Sequence, residues 1–142
     1  MRHGVPGLLV VTHGRLADEL VAAVRRIVGE VPSLAAIALD WDDDVADARR
    51  RIEEGIARVA VDGRALILTD MFGGTPSNVA LSLLEPGAVD VVSGVNLPML
   101  VKFANLRSVD GFDETVRRIA QQGRDSIQVA SEVLERRDGG ER

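Results

Sequence analysis

The chain has 142 residues, 17 basic against 22 acidic, for a formal net charge of −5, a length that fits one domain with its own core. It contains no cysteine, which excludes disulfide staples, thiolate catalysis, zinc-thiolate sites and iron–sulfur clusters. The acidic balance argues against a general nucleic-acid binder, which needs a basic face for phosphates, and 46% hydrophobic with 27% charged residues marks a folded rather than a disordered chain.

The first apolar stretch, 7–11, is five residues long. A signal sequence needs about 7–15 apolar residues and a membrane helix about 20, so a cytoplasmic protein without membrane insertion is expected. Residues 7–12 are apolar and rich in branched side chains, the pattern of a strand buried on both faces. Leu16, Leu20, Val24 and Ile27 then recur at helical spacing, and Gly29 and Pro32 close the segment. Residues 34–40 read as a second strand. Asp42, Asp43 and Asp44 precede Val45, Ala48, Ile52, Ile56 and Val59, a second helix whose positive end accepts the aspartates. Residues 65–69 form a third buried strand. A glycine-rich turn, 70–75, leads into a helix with Thr75 as the cap and Pro76 in the first helical position. Residues 89–95 make a fourth strand interrupted by Gly94, and Asn96, Leu97 and Pro98 turn into a short helix ending near Leu106. Phe112, Val116, Ile119 and Ala120 mark a further helix stopping at Gly123. Residues 126–133 fit either a strand or a helix. The domain spans 1–134, and 135–142 is a polar, frayed tail.

Strands alternating with helices imply an α/β fold: a single three-layer domain with a mainly parallel sheet of four strands and helices on both faces. Right-handed crossovers bring the carboxyl ends of the strands to one edge, where open α/β sheets place their chemistry. The turns at 12–15, 40–44, 70–75 and 95–98 therefore hold the candidate residues. His13 follows the first strand directly, where a neutral ring nitrogen can act as a nucleophile; a lone histidine at such a place is as readily a packed or surface residue. Asp70 ends the third strand and can lie beside His13. A carboxylate accepting Nδ1–H would fix the tautomer and leave Nε2 to attack, although alone it is also an ordinary turn aspartate. Gly73 and Gly74 allow close backbone approach, and with Thr75 and the helix start they form an anion cradle suited to a phosphoryl group. Together these residues suit phosphoryl transfer through a phosphohistidine.

Three stretches carry a family likeness: Thr12-His13-Gly14, Asp70-Met71-Phe72-Gly73-Gly74-Thr75-Pro76-Ser77-Asn78 and Gly94-Val95-Asn96-Leu97-Pro98-Met99-Leu100. In order and spacing they resemble the mannose-family enzyme IIA domain of the bacterial phosphoenolpyruvate-dependent phosphotransferase system, over residues 7–131. The resemblance implies that His13 accepts a phosphoryl group from HPr and passes it to a IIB protein. It implies that Asp70 is the carboxylate paired with that histidine, and that no metal or organic cofactor is needed. Backbone donors near Gly14, Gly73, Gly74 and Thr75 would hold the phosphoryl oxygens. It also implies a homodimer in which an antiparallel strand is exchanged, which favours a strand at 126–133. Met71-Phe72 departs from the Thr-Trp pair of many relatives. The chain ends without a IIB domain, so any IIB acceptor is expected to be a separate protein or absent. An alternative is a regulatory module whose His13 phosphorylation controls a partner without sugar transport; the phosphoryl-donor subunit of a dihydroxyacetone kinase is a related option.

Other signals are weaker. Arg2-His3-Gly4 imitates the motif of histidine phosphatases, but no strand precedes it. Asp42–Asp44 could hold a cation, or simply start a helix. Trp41 is expected at the rim of the site. Arg15 could steer a phosphoryl group or lie on the surface. Leu97, Met99 and Phe72 could form an apolar docking rim or belong to the core. Arg136 and Arg137 lie among acidic residues in a solvated end.

Overall fold

Four apolar runs become four strands: β1 (Gly7–His13), β2 (Leu34–Leu39), β3 (Ala65–Thr69) and β4 (Val89–Ser93). They form one parallel sheet in the order β2-β1-β3-β4. The computed structural model describes residues 4–108 and 111–140. Arg2 and His3, which the Arg2-His3-Gly4 motif needs, lie outside the described residues, as do Glu141 and Arg142 at the end of the expected tail.

Side chains alternate across the sheet, so each strand feeds two cores. Leu8 and Val10 of β1 and Leu66 and Leu68 of β3 face one side. There they meet Val21 and Val24 of α1 (Leu16–Val28), Leu100 and Phe103 of α4 (Leu97–Asn105) and Ile119 of α5 (Phe112–Asp125). Leu9, Val11, Ile37 and Ile67 face the other side, against Ala48 and Ile52 of α2 (Val45–Val59) and Val79 and Ala80 of α3 (Thr75–Leu81). Burial of each large side chain contributes about 1.5–3 kcal/mol, which is why unbroken apolar runs specify central strands. The expected three-layer architecture is thus the observed one.

The chain leaves β1 toward β2 and leaves β3 toward β4, in opposite directions along the sheet. The crevice between the carboxyl ends of β1 and β3 is therefore the switch point at which open α/β sheets bind ligands.

Four local expectations need correction. Strand β4 stops at Ser93 rather than at residue 95. Gly74, not Thr75, is the N-cap of α3; Thr75 is the first helical residue and Pro76 the second. Helix α5 runs through Gly123 to Asp125. A Cβ at position 123 would come within 2.7 Å of Met99 Sδ, so that glycine permits close α4–α5 packing and is no helix stop. The fourth concerns residues 126–133, expected as a strand. Residues 126–129 are a connection, and α6 (Ala130–Gly140) follows, crossing the anticipated boundary between domain and tail. An unpaired strand would leave its backbone groups without protein partners, whereas a helix satisfies its own. The good helix formers Ala130, Glu132, Leu134, Glu135, Arg136 and Arg137 support the helix.

Candidate active site

The β1–β3 pairing puts His13 and Asp70 side by side. Val11 stands opposite Thr69 in the parallel register, and the two strands then end together. Where the ladder runs out, the Asp70 carboxylate takes the place of a strand carbonyl. Its Oδ2 accepts the His13 backbone N–H at 3.0 Å and lies 2.8 Å from His13 Nδ1. Its Oδ1 accepts the Met71 N–H at 2.9 Å.

Burial pushes the Asp70 carboxyl up. The hydrogen bonds from the His13 backbone, the His13 ring and the Met71 backbone outweigh that effect and hold it below the usual carboxylate range. An ionised carboxylate only accepts, so the proton of this contact belongs to Nδ1, and in the neutral ring Nε2 then carries the lone pair. Both side chains are mostly buried, at 18% and 15% exposure for His13 and Asp70. That is dry enough to preserve the pair, yet the imidazole still meets solvent.

The neighbouring turns are built around this pair. Gly14 has φ of +55°, a left-handed conformation that strains any residue with a Cβ. Its N–H donates to Leu39 O at 2.8 Å. Thr12, fully buried, accepts the Ala17 N–H on Oγ1 at 2.7 Å and so satisfies one of the unpaired donors that open α1. Gly74 approaches His13 from the other side. A Cβ there would lie 2.3 Å from the ring Cε1 and 2.5 Å from Nε2, so only glycine leaves the Nε2 edge of the ring clear. Buried Ser77 fastens this turn: its hydroxyl accepts the Gly73 N–H and donates to Gly74 O, both at 3.1 Å.

Of the four residues expected to hold a phosphoryl group, Gly14 and Gly73 therefore use their N–H groups internally. At the start of α3, Pro76 has no N–H and the Asn78 N–H donates to Gly74 O, so the Thr75 and Ser77 N–H groups are the opening donors without intrahelical partners; the Thr75 hydroxyl stands beside them. Trp41 lies over His13, with ring centroids 4.8 Å apart and planes 22° from parallel. Exposed Met71 and Phe72 continue an apolar rim, whereas Met99 is core and Leu97 packs against it.

Several candidates are not brought to the site. Arg15 is exposed and pairs with Glu19 at 3.7 Å, a surface pair of small energetic weight. Asp43 accepts the Asp40 N–H and pairs with Arg51 at 3.2 Å. Among the described residues no group of three or more His, Asp or Glu residues is arranged to hold a metal ion. Sequence reading did not find the cap by Thr12 or the clasp by Ser77, though both lie inside the recognised motifs. Their signal was a small hydroxyl residue next to a glycine turn. Asn96 behaves similarly: it accepts the Met99 N–H to cap α4 and donates to Gly123 O on α5.

Comparison with known proteins adds context. Residues 7–120 match the family model EIIA-man, described as the PTS system fructose IIA component. The chain is 28% identical over 130 residues to the PTS system fructose-specific EIIA component of Bacillus subtilis, covering 91% of this chain and 89% of that protein. It is 27% identical over 124 residues to the mannose-specific EIIAB component of Escherichia coli, of which it spans only 38%. Among solved structures it resembles the mannose/sorbose-specific IIA subunit from Enterococcus faecalis, with a TM-score of 0.79 and 29% identity over 91% of this chain and 95% of that one.

Proposed function

The chain belongs to the PTS system fructose IIA component family, and on that premise we propose that it is a phosphocarrier in which His13 accepts a phosphoryl group from HPr and delivers it to a IIB protein. The observation that carries this reading is the 2.8 Å contact between His13 Nδ1 and Asp70 Oδ2. It holds the proton on Nδ1, leaving Nε2 as the attacking atom, and its negative charge balances the ring once Nε2 is substituted. The N–P bond to Nε2 forms as the P–N bond of the donor phosphohistidine breaks, and the donor ring keeps the bonding pair. Bonds of the same kind are made and broken, so catalysis consists of positioning and charge stabilisation. The Gly74 and Thr75 N–H groups and the Thr75 hydroxyl are assigned to the phosphoryl oxygens; Gly14 and Gly73 shape the turns around them. Trp41, Met71 and Phe72 form the surface on which donor and acceptor dock.

Two further assignments belong to this reading. The protein works in the cytoplasm, in keeping with the finding that no described helix is long and apolar enough to cross a membrane. It forms a homodimer through the outer edge of β4, beside which Ile127 stands 78% exposed.

The test is intact-mass spectrometry at neutral pH after incubation with phosphoenolpyruvate, enzyme I and HPr. One acid-labile phosphoryl group is expected on the wild type and none on His13→Ala. Equal labelling of the two would remove His13 from its role.

A further inference from the structure

Trp41 is the chain's single tryptophan and is 79% exposed. Its backbone is held in place. The Asp43 N–H donates to Asp40 O at 3.1 Å, and the Asp40 N–H donates to Asp43 Oδ2 at 2.8 Å. Arg51 of α2 then reaches across to Asp43 Oδ2 and to Ala38 O, at 3.2 and 3.1 Å. This closed turn presents the indole at the carboxyl edge of the sheet. The indole lies nearly parallel to the His13 ring, with centroids 4.8 Å apart, and its Nε1 is 4.0 Å from where a Cβ on Gly14 would stand. Asp70 fixes one edge of the imidazole and Gly74 borders the other. Trp41 supplies the remaining restraint, over a face of the ring.

We propose that Trp41 is a positioning residue for His13, an aromatic cover that holds the imidazole by its face and favours the ring in the charged state it takes on when Nε2 carries a phosphoryl group. The proposal rests on the phosphocarrier reading. When the N–P bond forms at Nε2 and the donor's P–N bond breaks, the His13 ring keeps its Nδ1 proton and becomes positive. A positive ring is attracted to the negative face of an indole, and such contacts at exposed sites correspond to about a two- to fivefold change in an equilibrium or rate. Asp70 on Nδ1 acts in the same direction. Asp43 on the Trp41 turn and Arg15 after β1 are engaged by Arg51 and Glu19.

Two measurements on the full chain test this. The first needs no phosphoryl group: proton NMR of the histidine rings, of which there are two in the chain. Stacking under an indole shifts ring protons upfield, so the His13 signals are expected to move downfield in Trp41→Leu; unmoved signals would overturn the proposal. The second is the equilibrium of phosphoryl transfer between phospho-HPr and the chain at neutral pH. Trp41→Leu, apolar without a π-face, is expected to lower the equilibrium constant about two- to fivefold, and Trp41→Phe to restore most of the loss. Equal constants for the Leu and Phe variants would overturn the role of Trp41 alone. No uptake by the wild type would overturn the phosphocarrier reading and the charged-state role with it.

Discussion

The carboxyl ends of β1 and β3 and the outer edge of β4 are both places where the sheet runs out of backbone partners, and the chain treats them oppositely. At the first, side chains replace the missing ladder. Asp70 takes the last β1 N–H, the His13 ring and the Met71 N–H, while Leu39 O takes the Gly14 N–H. Near Val92 and Ser93 of β4, apolar Ile127 stays exposed, and α6 beyond it buries almost nothing. The opposite outer edge, at β2, sharpens the contrast: Arg25 and Arg51 donate to Leu34 O and Ala38 O, the charged cover that protects an edge strand from added pairing. Internal satisfaction yields a site with one geometry, and the proposed dimer would use the edge that lacks it.

Three changes would break or sharpen that comparison. The largest effect is expected from Gly74→Ala. Its Cβ would meet the His13 ring at 2.3–2.5 Å, so phosphoryl uptake should fall by at least about 10²-fold through misplacement of Nε2, with an overpacking cost of about 1–3 kcal/mol. Comparison of uptake rate with thermal stability separates the two; full activity would show that the nucleophilic edge lies elsewhere.

Asp70→Ala comes next. It leaves donors in a mostly buried turn without their acceptor, at about 1–3 kcal/mol, and slows uptake by releasing the ring. Because the folded carboxyl is held below its ordinary range, its stabilising contribution is present above the unfolded carboxylate pKa, about 3.9, and is lost as pH falls through the lower folded value. The stability gap between wild type and variant should therefore close in acid. A gap constant with pH would show that the carboxylate charge contributes nothing.

The smallest effect on chemistry is expected from Ile127→Asp. Sedimentation should show a dimer weakened by the buried charge, with His13 labelling unchanged. A wild type that sediments as a monomer would remove the β4 edge from its proposed role.

Much of the fold was legible because buried parallel strands leave a strong mark. Continuous apolar runs at residues 7–12 and 65–69 admit few other readings. The candidate site was legible as far as its residues are contiguous, in the turns around His13 and Asp70–Thr75. Trp41 could be placed at the rim but not over the ring, because stacking depends on how far the β2–α2 turn leans toward β1. Gly123 was misread for a related reason: glycine ends many helices, and only the closeness of Met99 reveals it as a packing residue.

Residue order by itself determined the alternation of strands and helices, the two-faced core, and the presence of a histidine, a carboxylate and paired glycines at strand ends, since these follow from local periodicity and turn chemistry. Tertiary structure alone decided that the Gly14 and Gly73 N–H groups are used internally, by Leu39 and Ser77. It also decided that Gly123 serves close packing of α5 against Met99 and does not end the helix. The reason is that hydrogen-bond satisfaction and contact between distant turns depend on strand register and packing, which no local pattern encodes.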